Sequence, residues 1–260
     1  FTHFLEKSLN EFKKNKKNKK NYEVLNLSSS AYTSYECLIS YLCKGRFFSP
    51  DLIISYQGVN DVIWAVMANK FKTDYSHARK NNFKQNDCIV NNVFCALPDS
   101  KYLDYLDRLF VKLKLKKPNG LIYSISKNNL KIDPIYNSKK LDPFEENIKI
   151  LNSICNLYSS KLLNLSFIWD ENRPVNPSHI YKELEQRDQK IVFKNFYNSY
   201  LNDINYRLKN NKELNFLDLN QFLIKKNYFH DGVHFSLLGM KEIAKMVAKH
   251  IIYNERKLIN

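Results

Sequence analysis

Residues that interrupt or cross-link a chain are scarce here, with 5 glycines, 7 prolines and 5 cysteines among 260 residues. So few glycines and prolines exclude a collagen-like sequence, and each remaining glycine is expected to answer a specific backbone need. The cysteine count is odd and no Cys-x-x-Cys pair occurs, so we expect neither a disulfide framework nor a zinc site. A hydrophobic fraction of 44% is enough for a sizeable core, which excludes a fully disordered chain.

Long hydrophobic runs are also absent from the sequence. No stretch of about 18 consecutive apolar residues occurs, so no membrane span is predicted. The first residue is Phe1 and not Met, and 2–6 already has the character of a helix start. We expect from this that the natural N-terminus lies further upstream, where a signal peptide or membrane anchor would be encoded. Localisation therefore stays open.

Arginine is also scarce, since it supplies only 7 of the 41 basic side chains in a chain with a net charge of +15. Six lysines lie in the run 13–20, and without them the net charge is about +9. Arginine is the side chain best suited to bidentate contacts with phosphates and bases. We therefore interpret the lysine excess as a compositional bias and expect no nucleic-acid partner. A basic nucleic-acid-binding protein is kept as a third alternative.

The spacing of apolar residues predicts helices that alternate with short strands. Helices are expected over 4–14, from a cap at 33 or 34 to about 45, through 64–67, and over 99–114, 143–161, 189–209 and 236–250. Strands are expected over 22–27, 52–56, 165–169 and 215–219. This order predicts one α/β domain with a parallel sheet and helices on both faces. A long surface excursion is expected at 72–98 and an insertion at 116–141.

The loop after the strand at 52–56 is the first candidate for chemistry, because ligands of parallel sheets bind beyond the carboxyl ends of the strands. It has the sequence Gly58-Val59-Asn60-Asp61. The neutral side chain of Asn60 can donate an N–H to a developing oxyanion, and Gly58 allows a sharp turn. The alternative is an ordinary turn in which Asp61 caps the following helix.

A second candidate, Asp231-Gly232-Val233-His234, lies just before the last predicted helix. A spacing of three residues on a tight turn lets the carboxylate of Asp231 approach the imidazole of His234. The carboxylate would then fix the tautomer while the histidine acts as a base. The alternative is a capped turn whose histidine is packed or solvated, and solvation is also expected for the neighbouring His230.

A third loop, 26–34, leads from a predicted strand into a predicted helix, so backbone N–H groups of the helix N-terminus are expected to face the same site. The alternative is a serine-rich turn. Ser28, Ser29 and Ser30 are interpreted as turn formers and not as nucleophiles, because they lie at a helix start.

The order and spacing of these loops resemble the SGNH/GDSL hydrolase family. Its members carry a Gly-Asp-Ser block, a glycine block, a Gly-x-Asn-Asp block and an Asp-x-x-His block near the C-terminus. The loop 58–61 matches the third block and 231–234 the fourth, and 235–240 is similar to the ending that follows the histidine. Two features depart from the pattern. No Gly-Asp-Ser block occurs in the 260 residues, and Ala31 stands where the second block has glycine.

The resemblance implies a flavodoxin-like three-layer α/β/α fold with a central parallel sheet. It covers a single domain over 1–260 that lacks its first strand and nucleophile block. Catalytic roles are implied for Asp231 and His234, and an oxyanion hole for the side chain of Asn60 with the backbone N–H of Ala31. The nucleophilic serine is expected upstream of Phe1, and neither a metal nor an organic cofactor is implied.

A serine esterase that cleaves an ester or O-acyl bond is the function that the resemblance implies. The substrate stays open between a small molecule, a glycan O-acetyl group and a lipid ester, because specificity in such folds lies in loops such as 72–98 and 116–141. The alternative is a non-catalytic protein of the same fold that binds a glycan or a protein partner through this cleft.

Overall fold

Three of the apolar runs form a parallel sheet in the computed structural model, which describes residues 1–13, 21–29, 32–66, 135–172, 187–222 and 224–259. Strand β1 is Leu52–Ser55, β2 is Lys161–Leu165 and β3 is Asn215–Leu217, and they lie side by side in that order. Both pairs of neighbouring strands are parallel. The predicted α/β class with parallel strands is therefore confirmed.

The position of β2 differs from the predicted strand at 165–169, so that prediction was wrong. Leu165 is the last residue of β2 and pairs with Leu217. The next N–H, of Ser166, still donates to the carbonyl of Leu217 over 2.9 Å, but the N–H of Phe167 donates to Asn205 Oδ1 over 2.7 Å. The sheet ladder therefore stops, and the apolar residues that follow are buried without belonging to a strand.

The strand predicted at 22–27 was also wrong, because these residues belong to no strand and pair with none of the three strands in the described part of the chain. The N–H of Tyr22 donates to Asn10 Oδ1 over 2.9 Å, and Asn10 Nδ2 donates back to the carbonyl of Tyr22 over 2.9 Å. The N–H of Val24 donates to Glu6 Oε2 over 2.8 Å. Side chains of the first helix thus occupy the amides that a strand would need.

The described helices agree with the predicted ones to within a few residues, except that the short last helix, α7, was not predicted. They are α1 Thr2–Lys13, α2 Ser34–Cys43, α3 Val59–Val66, α4 Asp142–Leu157, α5 Arg187–Asn210, α6 Leu237–Tyr253 and α7 Glu255–Leu258. Local chemistry explains the starts: Pro143 lies in the first turn of α4, and the Oγ of Ser236 accepts the N–H of Gly239 at the start of α6.

One hydrophobic cluster joins α1 and α6 to the sheet. Leu5 and Leu9 of α1 pack with Leu163 of β2, Leu217 of β3 and the buried face of α6. Burial of each such leucine contributes about 2 kcal/mol to folding. Elsewhere α4 packs against β2, α2 against α4, and α3 against α5. These contacts hold the ends of the strands, and the loops that follow them, in fixed positions.

All described residues belong to one compact unit, Phe1–Asp74 with Leu130–Asn260. The predicted excursion 72–98, the helix 99–114 and residues 116–134 of the predicted insertion lie outside the described residues. In the described part of the chain, no helix is both long enough and apolar enough to cross a membrane.

Candidate active site

The turn before α6 brings Asp231 and His234 into contact. Nδ1 of His234 lies 2.7 Å from Oδ2 of Asp231. The other carboxylate oxygen, Oδ1, accepts the backbone N–H groups of Val233 and His234, both over 2.8 Å. The aspartate side chain is 11% exposed and the histidine side chain 63% exposed. A shielded carboxylate thus contacts Nδ1 of an imidazole that is otherwise largely exposed.

Asp231 is ionised at neutral pH. Burial alone would raise its pKa, but hydrogen bonds from the N–H of Val233 and from His234 outweigh burial, and the pKa lies below the ordinary aspartate value. An ionised carboxylate at Nδ1 favours the tautomer with the proton on Nδ1. Nε2 is then the ring nitrogen that can accept a proton from a reacting group.

Several backbone contacts fix the turn itself. Phe229 and Phe235 form an antiparallel bridge around it, and the N–H of His230 donates to the carbonyl of His234 over 2.7 Å. Gly239 completes the anchor, because a Cβ at this position would lie 2.0 Å from the carbonyl oxygen of Tyr228. The start of α6 can therefore approach the backbone before the turn only with glycine at this position.

A contact with the sheet places the turn at the carboxyl ends of the strands. The N–H of Asp170, which follows β2, donates to the carbonyl of Gly232 over 2.9 Å. Tyr56, which follows β1, stacks on Phe167 with ring centroids 4.8 Å apart and lies 5.7 Å from the ring of Phe235. The loops after β1 and β2 and the turn at 231–234 therefore meet at one edge of the sheet.

Tyr197 of α5 is a residue that the sequence did not single out. Its ring is fully buried, and its hydroxyl has no hydrogen-bond partner among the described residues. Burial, and then the proximity of Tyr56 and Asp231, raise its pKa well above the ordinary value. The phenol is therefore neutral beside the aspartate, and no sequence signal distinguished it from the other 16 tyrosines.

Asn60 lies at the same edge of the sheet, in the first turn of α3. Gly58 precedes it with a φ of +125°, and a Cβ there would lie 3.1 Å from Ile204 Cδ1, so the turn requires glycine. Nδ2 of Asn60 donates to the backbone carbonyl of Tyr32 over 2.8 Å. Ala31, the predicted second oxyanion donor, lies outside the described residues and directly precedes Tyr32 in the chain.

Asp61 makes contacts that the sequence did not predict. Its carboxylate accepts the N–H of Ser34 over 3.1 Å and the hydroxyl of Ser34 over 2.6 Å, and the side chain is 1% exposed. Asn147 Nδ2 donates to the same hydroxyl over 3.0 Å. The expected alternative role of Asp61, a cap before the helix that follows it, is not what the structure shows, because Asp61 lies inside α3. In the structure it serves the N-terminus of α2, 27 residues earlier.

Among the remaining serine and cysteine side chains considered in the sequence, some have structural contacts and others lie outside the described residues. The N–H and hydroxyl of Ser28 both donate to Asn26 Oδ1, as expected for a turn. Burial raises the pKa of Cys37 to about 12 and that of Cys155 to about 11, so both thiols are protonated at neutral pH. Ser30 lies outside the described residues. Among the residues that the structure describes, no group of three or more His, Cys, Asp and Glu side chains is placed to hold a metal ion.

Comparison with known proteins gives little beyond the geometry. No protein-family model matches the chain, and no curated protein does. Among solved structures, the chain is similar to a GDSL-like lipase from Bacteroides thetaiotaomicron, with 15% sequence identity and a TM-score of 0.46. The match covers 97% of this chain and 83% of the lipase.

Proposed function

We propose that the chain is an SGNH-type serine esterase that cleaves an ester or O-acyl bond in a small molecule, a glycan or a lipid. The proposal includes the three-layer α/β/α arrangement and a single domain over 1–260 with an insertion at 116–141. The observation that carries it is the 2.7 Å contact between His234 Nδ1 and an ionised Asp231, in a turn held at the carboxyl edge of a parallel sheet.

Acid–base chemistry follows from that contact. Nε2 of His234 takes the proton of a serine hydroxyl as the serine oxygen bonds to the ester carbonyl carbon, and the carbonyl oxygen becomes an oxyanion. The imidazolium then gives its proton to the leaving alcohol oxygen as the C–O bond breaks. In the second half, His234 takes a proton from water as the water oxygen bonds to the acyl carbon, and it returns the proton to the serine oxygen as the acyl–serine bond breaks and the acid is released. Asp231 stays ionised throughout and stabilises the imidazolium.

Stabilisation of the oxyanion is assigned to Asn60. Its amide group carries two hydrogens, and one of them is directed at the carbonyl of Tyr32. The second hydrogen is the proposed donor to the oxyanion, together with the backbone N–H of Ala31. A donor of this kind is worth about 3 kcal/mol in the transition state, which corresponds to a factor of 10² to 10³ in rate. The oxyanion site needs no metal for this.

The nucleophile is the part of the mechanism that experiment has to identify. The 260 residues contain no Gly-Asp-Ser block, and the raised pKa values make Cys37 and Cys155 poor nucleophiles. A reaction that labels activated serines therefore tests the proposal at its critical point.

One observation favours the alternative of a non-catalytic protein that binds a glycan or a protein partner. The amide of Asn60 already donates to the carbonyl of Tyr32, so its role could end with holding that segment against α3. In that case Asp231 and His234 form a capped turn, and no serine is activated.

Covalent labelling separates the two functions. The protein expressed from its complete open reading frame is treated with a fluorophosphonate, and the modified peptide is identified by mass spectrometry. We expect one serine adduct in the wild type and in the control variant His230→Ala, and its loss in His234→Ala. Absence of any adduct, or equal labelling of the His234 variant, would contradict the esterase proposal and leave the binding protein.

A further inference from the structure

Two consecutive residues of α3 hold the same short segment before α2. Asn60 contacts the carbonyl of Tyr32 over 2.8 Å, and Asp61 contacts the N–H and hydroxyl of Ser34. Between them, the N–H of Thr33 donates to Glu36 Oε2 over 2.9 Å. The backbone from Tyr32 to Ser34 is therefore fixed at each residue, twice by α3 and once by α2 itself.

Of these contacts, the one made by Asp61 is the strongest. It joins α3 to the first residue of α2 through two groups of Ser34, the N–H and the hydroxyl, and hydrogen-bond acceptors are favoured at a helix N-terminus. Asp61 is 1% exposed, so water does not screen this attraction, and Asn147 adds a further hydrogen bond to Ser34. The position of Ser34 relative to α3 is thus set mainly by Asp61.

The position of Ser34 determines the acceptor of Asn60. Tyr32 precedes Ser34 by two residues, and its carbonyl is the group that receives Nδ2 of Asn60. A side-chain amide is planar, so the direction of its first hydrogen also fixes the direction of the second. If the carbonyl of Tyr32 moved, the second hydrogen of Asn60 would turn away from its present direction.

We propose that Asp61 is a positioning residue for Asn60: it anchors Ser34, and through the carbonyl of Tyr32 it aims the Asn60 amide at the oxyanion. The orientation of the Asn60 amide toward an oxyanion rests on the proposed esterase function. The contact between Asp61 and Ser34, which we call the anchor, does not depend on that function. The anchor and the orientation of Asn60 are therefore tested by separate measurements. Asp61 touches no substrate and takes no proton in this account.

Hydrogen exchange of the backbone amide of Ser34 tests the anchor. In Asp61→Ala, and to a smaller extent in Asp61→Asn, we expect this amide to exchange about tenfold faster than in the wild type. Asp61→Asn keeps the shape of the side chain and an oxygen acceptor, so it serves if the alanine variant fails to fold. Unchanged exchange at Ser34 in both folded variants would overturn the proposal whether or not the protein hydrolyses esters.

Esterase kinetics on p-nitrophenyl acetate test whether Asp61 orients the Asn60 amide. We expect Asp61→Ala to lower kcat by about 10²-fold with little change in KM, because a donor misplaced by about 1 Å loses transition-state binding alone, and we expect a smaller loss in Asp61→Asn. The control is Asp142→Ala, which removes an aspartate from the first turn of α4, where it pairs with Arg207 over 2.8 Å. It is expected to keep kcat.

The outcomes of the two readouts are distinguishable. Fast exchange at Ser34 with an unchanged kcat would reduce Asp61 to a structural residue and overturn the positioning role. A wild type without esterase activity would remove the proposed function and with it the aim of Asn60, whereas the exchange data would still decide whether Asp61 anchors Ser34.

Discussion

The turn at 231–234 and the pair Asn60–Asp61 belong to the proposed site but are built in different ways. Asp231 receives hydrogen bonds from residues two and three positions further along the chain. Asn60 and Asp61 instead contact residues 28 and 27 positions earlier, on a different element. The first arrangement is made by local geometry, and the second exists only when folding brings residues 32–34 to the start of α3.

This difference has energetic consequences. The loop closed by a three-residue contact is short, so little chain entropy is lost when Asp231 meets His234. Asp61 is desolvated, and its hydrogen bonds form only on folding, which ties them to the stability of the whole unit. We therefore expect substitutions in the turn to affect chemistry more than stability. Substitutions at Asp61 are expected to affect both.

Removal of the buried carboxylate should have the largest effect on stability. Asp61→Ala leaves the N–H and hydroxyl of Ser34 without their acceptor in a buried place, and we expect a loss of about 3 kcal/mol in the free energy of unfolding. Urea unfolding followed by circular dichroism measures it. Asp231→Ala is the matched comparison and should lose about 1 kcal/mol. Equal losses in the two variants would break the contrast between long-range and local construction.

Acid should remove the smaller contribution of Asp231. Its pKa is lowered in the folded state, so its stabilising effect is present above the unfolded value of about 4 and disappears as the pH falls through the folded value. The difference in unfolding free energy between the wild type and Asp231→Asn should be constant above about pH 5 and shrink toward pH 2. A difference that grows on acidification would contradict the ionised, hydrogen-bonded carboxylate.

Parts of the molecule that depend on neighbours in sequence could be predicted from the sequence. The helices followed from apolar spacing and capping residues such as Ser236, and the approach of Asp231 to His234 followed from their separation of three. Gly58 and Gly239 lie where the backbone requires glycine, as expected in a chain with so few glycines. In each case the deciding interaction lies within a few residues or in the steric freedom of one residue.

What the sequence could not predict depends on distant side chains. The strand expected at 22–27 does not form because Asn10 and Glu6 bind its amides, and the strand expected at 165–169 ends early because Asn205 binds the N–H of Phe167. The contact of Asp61 with Ser34 belongs to the same class. Asparagine is common in this chain, and no spacing rule indicates which asparagine or glutamate will meet a backbone amide from another element.

The direct test of His234 as the general base of an esterase is the hydrolysis rate of a His234→Ala variant. The complete protein is assayed on p-nitrophenyl acetate beside His230→Ala, a histidine four positions earlier that is exposed and takes no part in the mechanism. We predict that kcat/KM falls by about 10³-fold or more in His234→Ala, as expected when the general base is removed, and stays at the wild-type value in His230→Ala. Undiminished hydrolysis by the His234 variant would contradict the account.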